Sequence, residues 1–150
     1  MVVSSETEML SLGKAFAERL KLPAVVELIG DVGAGKTTFT RGLADGLGVN
    51  ETVTSPSFTI SKRYAFNKEQ QNAELIHYDF YRLDDPGIMR EELDEALSQQ
   101  NAIVVLEWAG DVADLLPESK YRLEFVLNED NTREIIANGY AQKILESIKL

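Results

Sequence analysis

Ala24-Val25-Val26-Glu27-Leu28-Ile29, followed at once by Gly30-Asp31-Val32-Gly33-Ala34-Gly35-Lys36-Thr37-Thr38, decides how this chain folds. The first six residues are mostly apolar and follow Pro23, which reads as a largely buried strand. Residues 30–37 match G-x-x-x-x-G-K-[ST] in full, with extra residues Gly33 and Thr38. From about Lys36 to Leu47 the spacing predicts a helix, closed by Gly48. Strand, glycine loop and helix in that order form a cradle for phosphate. The glycines accept positive φ and leave room for several N–H groups to surround an oxyanion. The helix adds unpaired N–H groups and the positive end of its dipole. Lys36 supplies a point charge for the β- and γ-phosphates, and the Thr37 hydroxyl is a magnesium ligand. An accidental glycine-rich turn would not need a buried strand before it and a helix after it.

Outward from this stretch, Ser5 and Glu8 form a capping-box pattern, with Met9, Leu12, Phe16 and Leu20 at helical spacing to about Leu20. Phe58 to Phe66 and Ala73 to Phe80 read as strands joined by a polar loop at 67–72. Arg90 to Gln99 reads as a short acidic helix, and 102–106 as the most buried strand. Tyr121 to Leu127 and the stretch from Arg133 read as an antiparallel hairpin, followed by a helix over about Tyr140 to Ile148. The fold class expected is α/β: a P-loop NTPase-like three-layer fold with a central, mostly parallel sheet and antiparallel hairpin additions. At 150 residues, one ATPase domain over 1–150 is expected.

Composition removes several chemistries. No cysteine is present, so disulfides, thiolate metal sites and a Cys nucleophile are excluded, and the single His77 excludes a multi-His zinc site. Fifteen basic against 25 acidic residues give a formal charge of -10, with no basic stripe. Direct tRNA or DNA binding by this chain alone is therefore not expected. No apolar run approaches the roughly 20 residues that span a bilayer. The first six residues lack the pattern of a signal peptide, so a cytoplasmic, non-membrane protein is expected.

A phosphate loop needs a carboxylate to hold magnesium. Glu107 and Asp79 each follow an apolar strand and are expected at the sheet's carboxyl edge, where α/β sheets bind ligands. The plainer reading of each is a solvated acid at a strand end. Asp84, Asp85, Glu91, Glu92, Asp94 and Glu95 read as a solvated helix face. Thr54-Ser55-Pro56-Ser57 stands where nucleotide switches place hydroxyls, though on composition it is equally an ordinary Ser/Pro turn. His77 reads as a partly buried strand residue, Trp108 as core, interface or a neighbour of the nucleotide, and Lys36 as an exposed loop lysine. Guanine specificity usually needs Asn-Lys-x-Asp late in the chain. The only Asn-Lys pair is Asn67-Lys68-Glu69-Gln70, which favours ATP. Arg63, Arg82 and Arg90 look dispersed rather than gathered in a lid, so a P-loop small-molecule kinase is the alternative to an ATPase. A nucleotide-gated adaptor with negligible turnover is the third class.

The segments 30–38, Thr-Ser-Pro-Ser-Phe at 54–58, His-Tyr-Asp-Phe-Tyr-Arg-Leu at 77–83 and Leu-Glu-Trp at 106–108 together closely resemble the TsaE family. That family is the P-loop ATPase of bacterial tRNA threonylcarbamoyladenosine (t6A) biosynthesis. The resemblance covers residues 5 to about 110. It implies a subunit that binds ATP and Mg2+, hydrolyses ATP slowly, and docks onto the TsaB–TsaD heterodimer. That pair transfers threonylcarbamoyl to adenosine 37 of tRNAs reading codons that begin with A. The resemblance also implies residue roles. Lys36 and Thr37 contact phosphate and metal, Thr38 lies beside the α-phosphate, and Asp79 and Glu107 belong to the metal and water-activating site. Thr54 and Ser55 belong to the switch, Trp108 sits near nucleotide or partner, and Glu6, Thr7 and Arg133 border the adenine and phosphates. Ala109 stands where the family commonly has proline, and the acidic helix lacks the glycine often found after its leucine.

Overall fold

The computed structural model describes residues 1–150, with every side chain except that of Pro86. Its elements are β1 (Val2–Val3), α1 (Glu6–Ala17), β2 (Ala24–Ile29), α2 (Lys36–Leu47), β3 (Ser61–Lys68) and β4 (Gln71–Asp79). They continue as α3 (Arg90–Ser98), β5 (Ala102–Glu107), β6 (Tyr121–Leu127), β7 (Arg133–Ala137) and α4 (Gly139–Ser147), with 3-10 turns at Pro86–Met89 and Gly110–Leu115. Among the described residues no helix is long and apolar enough to cross a membrane.

The strands form one seven-stranded sheet in the order β1-β7-β6-β2-β5-β4-β3. β6, β2, β5 and β4 run parallel. β3 pairs antiparallel with β4 at one edge, and β7 and β1 extend the other edge antiparallel. This is the expected P-loop NTPase-like α/β architecture. α1, α2 and α4 pack on one face, with Leu12, Phe16, Phe39, Leu43 and Leu145 against Val26, Leu75, Val105 and Phe125. α3 and the turn at Gly110–Leu115 cover part of the other face, with Leu93, Ala96 and Val112 against Ile76, Tyr78, Val104 and Leu106. β5 is buried along its whole length, as a strand covered on both faces must be.

Several boundaries moved for identifiable reasons. α1 ends at Ala17, and Arg19 and Leu20 close it with turn bonds to Phe16 and Ala17. Its cap is Ser5, whose Oγ accepts from Glu8 N–H, but the Glu8 carboxylate accepts from Ser4, one residue earlier than a capping box predicts. The strand expected from Phe58 begins only at Ser61. The N–H groups of Thr59 and Ile60 turn back onto the Pro56 carbonyl and Ile60 has φ 66°, which leaves Phe58 87% exposed. The expected loop at 67–72 contracts to Glu69-Gln70, both with positive φ as a two-residue hairpin turn requires. Glu92 is not part of a solvated face. It accepts hydrogen bonds from Ser61 Oγ at 3.0 Å and Tyr78 Oη at 3.2 Å, tying α3 to the sheet. Burial, and then the Glu92 charge, raise the Tyr78 phenol above its ordinary range.

α1 and α2 approach closely because the contact is made of glycine. A Cβ on Gly13 would lie 2.2 Å from the Phe39 carbonyl oxygen, one on Gly42 2.2 Å from that of Leu10, and one on Gly46 2.5 Å from that of Lys14. The blocking atoms are backbone, which cannot swing aside. Alanine normally stabilises a helix by roughly 1 kcal/mol over glycine, but here overpacking decides the sign. Gly42→Ala should cost about 1–3 kcal/mol, read as a lower urea midpoint at an unchanged slope; a midpoint at or above that of the wild type would show that the helices are free to separate.

Candidate functional site

Parallel pairing puts the carboxyl ends of β2, β5 and β4 side by side. Leu28 lies opposite Glu107, and Glu107 opposite Asp79. The connection leaving β2 crosses the face bearing α2, while that leaving β5 crosses the other face before reaching β6. Such a divergence opens a crevice at the strand ends, and the glycine loop fills its mouth. Gly30 passes so close to β6 that a Cβ would lie 2.5 Å from the Phe125 carbonyl oxygen. Gly35 caps α2 in the left-handed region, φ 104°, with no side-chain cap. The N–H groups of Lys36, Thr37 and Thr38 consequently have no backbone acceptor among the described residues. They point, with the dipole, out of the helix N-terminus.

A cleft of about 280 Å³ lies in front of these groups, and Gly33, Lys36, Thr37, Thr38, Asp79 and Glu107 are among its walls. Lys36 is the first residue of α2 and only 5% exposed, not the exposed loop lysine expected. Its ammonium donates to the carbonyls of Gly30 at 2.7 Å and Asp31 at 2.9 Å. It also lies 4.0 Å from Glu107 Oε2 and 5.2 Å from the centre of the Trp108 ring. Glu107 is 3% exposed, so it is not a solvated strand end. His77, fully rather than partly buried, bonds Glu107 Oε1 through Nε2 at 2.9 Å. Asp79 accepts from Tyr81 N–H on one oxygen at 3.0 Å, and from Ser55 Oγ and Ser57 Oγ on the other, each at 3.2 Å.

The other anticipated residues fall around the same loop. Trp108, 38% exposed with φ 57°, roofs the cleft and packs at 4.8 Å against Tyr81. Asp31 and Ala34 shape the loop through an N–H to carbonyl bond of 3.2 Å, and Val32 is exposed at its tip. On the far side, Glu6, Gly33, Gly35, Thr38 and Arg133 line a second hollow of about 210 Å³, which holds two of the residues expected to border the adenine and phosphates, Glu6 and Arg133, but not Thr7. Thr54 is the outlier: it is exposed, its Oγ1 accepts from Lys62, and its N–H reaches the Tyr64 hydroxyl.

Sequence reasoning passed over four residues. Ser57 and Tyr81 bind Asp79. His77 holds Glu107. Arg82 lines the cleft, its guanidinium 5.0 Å from the Phe58 ring centre and with no carboxylate at ion-pair distance among the described residues. For His77 the available signal was its place two residues before Asp79 on β4, since a strand sends alternate residues to one face, whereas Ser57 lies on another segment and Tyr81 binds through its backbone N–H beyond the end of the strand.

The donors fit a polyphosphate carrying a small, hard cation. Amide N–H groups, Lys36 and Arg82 suit anionic oxygens, while Thr37, Asp79 and Glu107 offer oxygen donors of the kind magnesium prefers. No group of three or more His, Cys, Asp or Glu able to hold a metal ion occurs among the described residues. A cation here would have to share oxygens with the phosphates, as magnesium does in nucleotide sites.

Comparison with known proteins places the chain in a family. The chain is 34% identical over 139 residues to the tRNA threonylcarbamoyladenosine biosynthesis protein TsaE of Streptomyces coelicolor, covering 90% of this chain and 93% of that protein. It is 39% identical over 127 residues to the protein of the same name from Bacillus subtilis, covering 83% and 75%. The crystal structure of Bacillus subtilis YdiB superposes with a TM-score of 0.73 at 31% identity, over 97% of this chain and 90% of that one. The profile of a family described as "Threonylcarbamoyl adenosine biosynthesis protein TsaE" matches residues 3–135, and the chain therefore belongs to the TsaE family, whose members take part in t6A biosynthesis on tRNA.

Proposed function

We propose that this chain is the ATP-binding and slowly ATP-hydrolysing subunit of the t6A machinery, acting on the TsaB–TsaD heterodimer. The observation that carries the reading is the convergence of the α2 N-terminus, Lys36 and two buried carboxylates on one cleft at the sheet's carboxyl edge. In this reading the 150 residues form a single ATPase domain that works in the cytoplasm, and Mg2+ supplies neutralisation of charge building on the transferred phosphate. Gly30 to Thr38 and Lys36 grip the phosphates, with Thr37, Asp79 and Glu107 holding the metal and its waters. Lys36, Asp79 and Glu107 form the catalytic set. Glu6 and Arg133 flank the nucleoside across Thr38, and Trp108 covers the phosphates.

ATP is favoured over GTP because the one Asn-Lys pair is not placed to read guanine. Asn67-Lys68 lies at the end of the β3–β4 hairpin where β4 begins, opposite the edge that carries Asp79. It therefore cannot read a base held near the loop. The acidic balance of -10 suits a subunit that leaves the tRNA to its partners. Ser55 and Ser57 are both tied to Asp79, so whatever Asp79 engages is felt in segment 54–58. That is the requirement for a switch that favours docking with ATP and releases it after hydrolysis.

Phosphate release from Mg-ATP should proceed without any added acceptor and rise when TsaB and TsaD are present. A strict need for an acceptor would indicate a kinase, and no turnover under any of these conditions would leave only an adaptor. Lys36→Ala should remove a charge-assisted bond to phosphate of about 2 kcal/mol, a loss of roughly thirtyfold or more in Mg-ATP affinity by calorimetry. Its circular dichroism should stay native, and unchanged affinity would refute the site. Asp79→Asn should slow hydrolysis about tenfold or more with a smaller loss of affinity, and equal losses in both would mean that Asp79 serves binding alone.

A further inference from the structure

His77 is the single histidine of the chain, it has no exposed surface, and the phosphate chemistry above has no use for it. Its ring bonds asymmetrically. Nε2 lies 2.9 Å from Glu107 Oε1, whereas Nδ1 has no partner among the described residues. A carboxylate only accepts hydrogen bonds, so the contact requires the hydrogen on Nε2. A histidine kept for packing alone would sooner be replaced by an apolar ring, because its unpaired nitrogen is costly to bury. The polar contact it does make is with a residue of the cleft. The two oxygens of Glu107 accordingly face different ways: Oε1 is held inside the sheet by His77, and Oε2 is turned towards Lys36 at 4.0 Å.

Resting on the ATPase reading, we propose that His77 is a positioning residue for Glu107: its Nε2–H pins one carboxylate oxygen so that the other is presented to the phosphate cleft. The competing arrangement lies close by. The Lys36 ammonium already lies 4.0 Å from Oε2, and a Glu107 freed from the imidazole would turn both oxygens onto it. Lys36 and Glu107 would then satisfy each other instead of serving the cleft. A buried carboxylate keeps a productive orientation only when a second residue fixes it. His77 sits on β4 and Glu107 on the adjacent parallel β5, so the bond is set by the ladder itself rather than by a mobile loop.

The test uses the full chain with the TsaB–TsaD pair. His77→Phe keeps a planar aromatic ring, somewhat larger than imidazole, and removes the donor, while His77→Gln can bring an amide N–H towards the place of Nε2. The kcat for phosphate release should fall about 10- to 100-fold in His77→Phe, the Mg-ATP dissociation constant should move by less than about threefold, and His77→Gln should recover most of the rate. Full turnover in His77→Phe, or parallel loss of turnover and affinity in both variants, overturns the proposal. A second readout needs no turnover. Because His77 is the only imidazole, the nitrogen NMR spectrum of labelled protein reports it alone. The expected spectrum has hydrogen on Nε2, a bare Nδ1, and an Nε2 resonance that moves in Glu107→Gln. Hydrogen on Nδ1, or no response to Glu107→Gln, also overturns it. If the wild type neither binds nor hydrolyses ATP, alone or with its partners, the ATPase reading fails, while the spectrum still decides whether His77 holds Glu107.

Discussion

The parallel register of β2, β5 and β4 is the constraint on which the rest of this molecule depends. Leu28, Glu107 and Asp79 stand in one row across the three strands, and side chains alternate strictly between the two faces of a sheet. His77, Asp79, Val105 and Glu107 therefore share the face that α2 packs on, beside Lys36. A slip of one residue in β5 would turn Glu107 beneath α3 and put Leu106 into the cleft. Register here is held by burial on both faces, since Ile103 and Val105 belong to the core under α1 and α2, and Val104 and Leu106 to the core under α3. Every displaced side chain would exchange one packed environment for another that does not fit it.

The same row explains how a strongly acidic chain gathers positive groups at one cleft. Its positive elements are few and each is fixed by structure: the start of α2 by Gly35, Lys36 by two carbonyls, Glu107 and Trp108. Lys36 and Glu107 are both almost wholly buried, a condition that charges tolerate only with partners on more than one side. For Lys36 these are the Gly30 and Asp31 carbonyls, and for Glu107 the second partner is His77. The pair of charges is balanced from opposite ends, with neither left to satisfy the other alone.

Legibility in the sequence followed the range of the interactions. The phosphate loop is local: its glycines, lysine and threonine are contiguous, and the strand before it and helix after it are read from adjacent residues. β5 was equally plain, because a strand covered on both faces has an apolar run with an acid at its end. The acid's neighbours were not. His77 lies 30 residues from Glu107, and no pattern within either segment announces their contact. Arg82 looked dispersed in the chain and proved to face the cleft, since only the turn after β4 decides its direction. The glycines at 13, 42 and 46 carry no local signal either. Their role appears only when α1 meets α2, and inside a helix glycine otherwise reads as a weak point. β1, a two-residue strand paired to β7, is too short for any periodicity to show.

One continuous set of contacts gives the cleft a means of affecting a surface. Ser55 and Ser57 bind one oxygen of Asp79, and the other oxygen holds the backbone of Tyr81. Tyr81 packs on Trp108, and Trp108 lies over the Lys36 ammonium. Loops after α2, β4 and β5 thus meet around a single carboxylate and a single indole, at the mouth of the cleft. Both oxygens of Asp79 already accept hydrogen bonds, so a new ligand on either one shares it with the serines or with Tyr81. Trp108 is held by packing and a cation–π contact rather than by hydrogen bonds, and it can follow Lys36 when the ammonium changes partner. Under the proposed ATPase reading, nucleotide state would be expressed in the exposed segment around Phe58 and in Trp108 without any rearrangement of the sheet, which is what a small subunit needs if its role is to be sensed by a larger one.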